Sequence, residues 1–129
     1  VPKWTVRYER TFAREFARLD EDVREQLIAH ADVLEVYGPS LGRPLVDTLR
    51  DSAYPNMKEL RFNTANGVWR VAFAFDPESR AVLLLAGDKS GLRGRAEKTF
   101  YEALIQTADL RFKAYLERLA KPPKPRSRG

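Results

Sequence analysis

Few residues in this chain are able to do chemistry. None of its 129 residues is cysteine and one is histidine, which leaves no thiolate nucleophile, no cysteine-held metal and no histidine-rich metal site. His30 lies three residues after Leu27 and four before Leu34, on the apolar stripe of a helix, and is expected to be structural. Serines 40, 52, 79, 90 and 127 lack a nucleophile-elbow setting, and GDKSGLRG (87–94) does not have the spacing of a phosphate-binding loop. What remains is cationic: Lys58, Arg61, Arg70, Lys89, Arg93, Arg95 and Lys98. A guanidinium is a planar fork that matches the oxygens of a phosphate, so two on one face could clamp a phosphodiester. Arg61 and Arg70 fit that role best, because each interrupts a run whose neighbours (Leu60 and Phe62, Trp69 and Val71) point to a core. The competing reading is that a sheet exposes arginines for solubility.

These residues must be positioned by a sheet. After a short opening strand at Trp4 to Tyr8, Phe12, Phe16 and Leu19 mark a helix of about ten residues. Asp20 is placed to cap a second helix, whose buried face is Val23, Leu27, His30, Ala31 and Leu34 and which Gly38-Pro39 ends. Residues 38–56 read as an ordered connection without a long element of its own. The period then changes to two: Met57 to Asn63, Val68 to Phe75 and Ala81 to Gly87 are strands whose short connections require antiparallel neighbours. In the middle strand Trp69, Val71, Phe73 and Phe75 form a bulky core face, and Ala72 and Ala74 a shallow one that carries Arg70. The run AVLLLAG, apolar on both faces, is expected inside the sheet, although on periodicity alone a run this short also fits a buried helix segment. Beyond a basic loop from Lys89 to Arg95, Phe100 or Tyr101, Leu104, Ile105, Ala108, Phe112, Tyr115, Leu116 and Leu119 mark a last helix that Pro122-Pro123 ends. The order β-αα-βββ-α describes one α+β domain over residues 1–120.

The size suits a single core, with 43% hydrophobic and 32% charged residues. No apolar run approaches the roughly 20 residues that span a bilayer, and the N-terminus lacks a signal-peptide layout, so a cytoplasmic protein without membrane contact is expected. The net charge is +5. Most of it sits in the proline-rich tail 121–129 (KPPKPRSRG), which is expected to be disordered; within the body, residues 58–101 carry eight basic and five acidic side chains. A cationic sheet suggests a polyanionic partner.

The stretches YGPSLGRPLVDTL, NMKELRF, WRVAFAFDPESRAVLLLAGDKSG and FYEALIQTAD resemble the HigB-like toxins of the RelE/ParE superfamily, in their phage-derived subfamily, over roughly residues 5–119. The resemblance implies a RelE-like fold and the toxin of a type II toxin-antitoxin system. Its action would be ribosome-dependent cleavage of mRNA by attack of a ribose 2′-hydroxyl on the adjacent phosphorus, with no metal and no cofactor. It places Lys58 and Arg61 of KELR, Arg70 of WRV and Lys89 of GDK in the phosphate-binding set, and Tyr101 in base stacking or proton transfer. Lys58 or Glu59 could serve as base. Equally, Glu59 could pair with Arg61 or Arg70, Tyr101 could be a core residue, and Asp88 could orient Lys89. The implied partners are the ribosome with its mRNA and a small helix-turn-helix antitoxin, which would dock on the helical hairpin or the sheet face and through which alone the complex would read operator DNA. Two other outcomes stay open: inhibition of DNA gyrase, as in ParE-like relatives, and a domain that binds its antitoxin without activity.

Overall fold

A computed structural model describes residues 3–121. The elements run β1 (Val6–Tyr8), α1 (Arg10–Ala17), α2 (Glu21–Tyr37), a 3-10 turn (Gly38–Ser40), β2 (Val46–Thr48), β3 (Lys58–Thr64), β4 (Gly67–Phe75), β5 (Ala81–Asp88) and α3 (Gly94–Ala120). The five strands form one sheet in the order β1-β5-β4-β3-β2, with β1 parallel to β5 and every other pair antiparallel. The apolar run of β5 therefore lies inside the sheet, between β1 and β4.

Helices cover both faces. On one, α1 and α2 bury Phe12, Val23, Leu27 and Leu34 against Leu60, Phe62, Val71, Phe73 and Leu83. On the other, α3 buries Leu104, Ile105, Ala108 and Phe112 against Ala72, Ala74, Val82 and Leu84. The shallow face of β4 is thus a core face as well; its alanines leave the depth that α3 fills. His30 is half-buried, its ring 5.3 Å from that of Phe62 and its Nδ1 2.7 Å from the Gln26 carbonyl oxygen, in keeping with a structural role.

Local chemistry explains the boundaries. Glu9 is the cap of α1, its Oε1 accepting from the amides of Thr11 and Phe12 at 3.0 Å each. Asp20 occupies the corresponding place before α2, but its carboxylate makes no capping bond, which corrects the expectation; Glu21 and Asp22 still favour the positive end of the helix. Gly38 ends α2 at φ +56°, a conformation that side chains disfavour, and Trp4 packs where its Cβ would be. The connection 38–56 holds a three-residue strand, β2, that periodicity does not reveal. The last helix begins at Gly94, six residues before its first large apolar residue, so Arg95 lies on a helix rather than in a loop. The proline-rich part of the tail, 122–129, lies outside the described residues.

Candidate functional site

Strand register builds the site. Arg61 of β3 lies opposite Arg70 of β4, and Arg70 lies opposite Gly87 of β5, so the three stand in one row across the sheet on the α3 side. Gly87 has no side chain, and a Cβ there would stand 2.8 Å from Phe100 Cε2. The ring of Phe100 occupies that space and brings the start of α3 down on the sheet. The next residue, Tyr101, then reaches Glu59, two positions before Arg61 and on the same face.

Glu59 is the centre of the cluster. It is 3% exposed, and the Tyr101 hydroxyl donates to its Oε1 at 2.9 Å. Arg61 donates to its Oε2 through Nη2 at 3.0 Å and Nε at 3.3 Å, and Arg70 Nε stands 3.6 Å from its Oε1. A buried carboxylate is costly unless paired, and three donors surround this one. Arg70 Nη1 donates to the Trp69 carbonyl at 2.9 Å, while its buried Nε has no hydrogen-bond partner. Burial opposes the charge of Arg61, but the bond to Glu59 together with the charges of Glu59, Tyr101 and Asp47 outweighs this, and its pKa lies above the usual value. Burial, followed by the bond to Glu59, pushes Tyr101 up as well, so its hydroxyl keeps its proton near neutral pH.

Lys89 enters from the end of β5. Asp88 accepts from the amides of Val68 at 3.0 Å and Ser90 at 2.9 Å, fixing the backbone on either side of Lys89. Burial would raise the pKa of Asp88, but those amides lower it on balance. The Lys89 ammonium lies 5.7 Å from the Tyr101 ring centroid and 2.5 Å from Glu97 Oε2, in the first turn of α3. The bond to Lys89 holds Glu97 below its usual pKa.

The cluster forms one end of a groove of about 810 Å³ between the β2–β3 connection and α3, which continues past Leu49, Arg50, Lys98, Ile105 and Gln106. Its far wall is pinned where Asp109 accepts from Ser52 Oγ at 2.5 Å and from the Ala53 amide at 2.9 Å.

Five of the six residues singled out in the sequence, Glu59, Arg61, Arg70, Lys89 and Tyr101, thus meet in one place. Lys58 does not. It pairs with Thr48 and Phe73, and strand alternation sends it to the face that α1 and α2 cover. Two carboxylates at the cluster's edge escaped the sequence reading. Glu97 was hidden because α3 starts before its apolar stripe does. Asp47, whose Oδ2 is 3.4 Å from Arg61 Nη2 and 2.8 Å from Arg43 Nη2, lies on β2.

A family model described as phage-derived protein Gp49-like matches residues 14–113. The chain belongs to this family. Its Gp49-like sequence is 44% identical over 103 residues to "Putative toxin HigB3" of Mycobacterium tuberculosis H37Rv, covering 80% of the chain and 85% of that relative. It is 41% identical over 114 residues to "Putative toxin HigB2" of the same organism, covering 88% of the chain but 54% of that longer relative. A free-state structure of a mutant of the Escherichia coli toxin RelE superposes with a TM-score of 0.54 at 14% identity, over 81% of the chain and 95% of RelE, a likeness of fold. The Gp49-like chain is accordingly HigB-like in sequence and has a RelE-like α+β fold.

Proposed function

We propose that this Gp49-like protein is the toxin of a type II toxin-antitoxin pair and acts as a ribosome-dependent endoribonuclease on mRNA. The observation that supports this most is the convergence of Arg61, Arg70 and Tyr101 on Glu59, with Lys89 beside the Tyr101 ring, at a groove lined by Glu59, Arg61, Lys89 and Tyr101. Cleavage by the ribose 2′-hydroxyl forms an O2′–P bond and breaks the P–O5′ bond, leaving a 2′,3′-cyclic phosphate and a free 5′-hydroxyl. Negative charge grows on the phosphate oxygens as this happens, and preorganised cations that face it lower the barrier. Arg61, Arg70 and Lys89 take that role. Tyr101, already bonded to Glu59, takes the proton of the 2′-hydroxyl as it passes its own to the carboxylate, and the Lys89 ammonium protonates the departing 5′-oxygen. Glu59 then both holds the arginines and receives the proton.

The proposed setting is the cytoplasm; among the described residues no helix is long and apolar enough to cross a membrane. The proposed partners are the ribosome with its mRNA and a helix-turn-helix antitoxin, docked on the α1–α2 hairpin or over the sheet face, that carries any contact with operator DNA. The test is to add the protein to translating ribosomes and map the mRNA ends. Codon-phased cuts that Arg61→Ala and Arg70→Ala both abolish are expected. Intact message together with trapped gyrase–DNA cleavage complexes would replace this reading with that of a gyrase inhibitor.

A further inference from the structure

The carboxylates around the cations fall into two kinds. Glu59 is buried beneath the arginines and cannot leave without stranding them. Glu97 is different: its side chain is 37% exposed at the mouth of the groove, whereas the Lys89 ammonium it bonds belongs to a side chain only 18% exposed and pinned between β5 and the Tyr101 ring. In this pair the carboxylate can swing away and the ammonium cannot. A carboxylate and a phosphate present the same kind of anionic oxygen to an ammonium.

We infer that Glu97 occupies the seat of a substrate phosphate oxygen on Lys89, so that an RNA strand binds by displacing it. The inference rests on the nuclease reading of the groove and adds to it a residue that sets affinity and selectivity. Holding Lys89 between turnovers offsets the mutual repulsion of Arg61, Arg70 and Lys89. It also places a threshold on entry: an anion that reaches Lys89 alone must outcompete a tethered carboxylate, whereas an RNA strand brings further phosphates and bases along the groove. Glu97 is thus a positioning and selectivity residue rather than a catalytic one.

The test uses an RNA hexanucleotide methylated at every 2′-oxygen, which cannot be cleaved, and measures its affinity for four full-length proteins at fixed salt. Glu97→Gln keeps the shape and helix propensity of the side chain and removes its charge. It is expected to bind about two- to fivefold tighter than the unchanged protein, the scale of a half-exposed ion pair. Lys89→Met is expected to bind more weakly, and in the double variant the gain from Glu97→Gln should vanish, because its target is gone. Equal or weaker binding by Glu97→Gln overturns the inference. So does a gain that survives in the double variant, which would reflect only the general loss of a negative charge, and so does the absence of hexanucleotide binding by all four proteins. Mapping of mRNA ends on ribosomes, run in parallel, separates the two layers: the affinity pattern without any cleavage would keep the phosphate seat and remove the nuclease.

Discussion

Arg61 and Arg70 look equivalent in the sequence, yet they differ in what they can do. Arg61 is partly exposed and shared between Glu59 and Asp47, while Arg70 is nearly covered, its buried Nε facing Glu59 Oε1 at 3.6 Å without a hydrogen bond. Each is expected to carry transition-state charge, so Arg61→Ala or Arg70→Ala should lower the cleavage rate about 10²- to 10³-fold, the loss typical of one preorganised donor. Their double variant should lose less than the product of the two, since both act on one phosphate. Tyr101→Phe separates the hydroxyl from the ring. If the hydroxyl carries the proton, the turnover number falls by about 10²-fold or more with little change in KM, whereas a ring that only stacks on a base would leave the turnover number intact. Single-turnover kinetics on programmed ribosomes read the difference. Strand alternation made much of this visible in advance: Glu59 and Arg61 are two apart and share a face. The same rule separates Lys58, three residues from Arg61, and applying it to the KELR stretch would have removed Lys58 from the group before any coordinates.

At the scale of elements, the site depends on how closely α3 approaches β5. The Cβ of Gly87→Ala would crowd Phe100 Cε2, so the ring must shift and Tyr101 with it. The expected result is a modest loss of stability, about 1 kcal/mol, alongside a larger loss of cleavage; a variant with full activity would show that the helix need not seat so tightly. Asp76 anchors the far end of the same helix. Its carboxylate accepts from the Glu78 and Arg80 amides, from Arg80 Nε at 2.8 Å and from the Tyr115 hydroxyl at 2.7 Å, tying the β4–β5 turn to α3. Asp76→Ala strands these donors and should cost on the order of 1–3 kcal/mol in urea unfolding. The apolar stripes of α1 and α2 and the alternation of β3 and β4 were readable because each element buries a face of its own period. The start of α3 was not, because residues 94–99 face solvent or the groove and leave no apolar trace. Nor was β2, a three-residue strand held by pairing with β3 rather than by its own composition.

For the whole molecule, charge placement decides the response to pH. The carboxylates of Asp47, Asp76, Asp88 and Glu97 lie below their usual pKa: bonds from Arg43 and Lys89 hold Asp47 and Glu97 down, and at Asp76 and Asp88 hydrogen bonds outweigh a burial that alone would raise them. A carboxylate whose pKa is lower folded than unfolded adds stability that is present above the unfolded value and disappears as the pH falls through the folded one. The urea midpoint should therefore hold steady at neutral pH and drop below about pH 4; a midpoint unchanged down to pH 3 would mean that these bonds do not persist in solution. The sequence located the positive segment at 58–101 and the option of a Glu59–arginine pair, but not the pairing of Asp47 with Arg61, which depends on the register of β2 on β3, nor that of Glu97 with Lys89, which depends on where α3 begins. After that pairing the three cations of the cluster, Arg61, Arg70 and Lys89, are matched by three carboxylates, Glu59, Glu97 and Asp47.

The most direct measurement is the rate of codon-phased mRNA cleavage on translating ribosomes for Arg61→Ala, Arg70→Ala and Lys58→Ala side by side. Cuts lost in the two arginine variants and kept in Lys58→Ala, with all three folded, are the predicted result. Cleavage that survives loss of the arginines, or that Lys58→Ala abolishes equally, would contradict a reaction centred on the groove beneath α3.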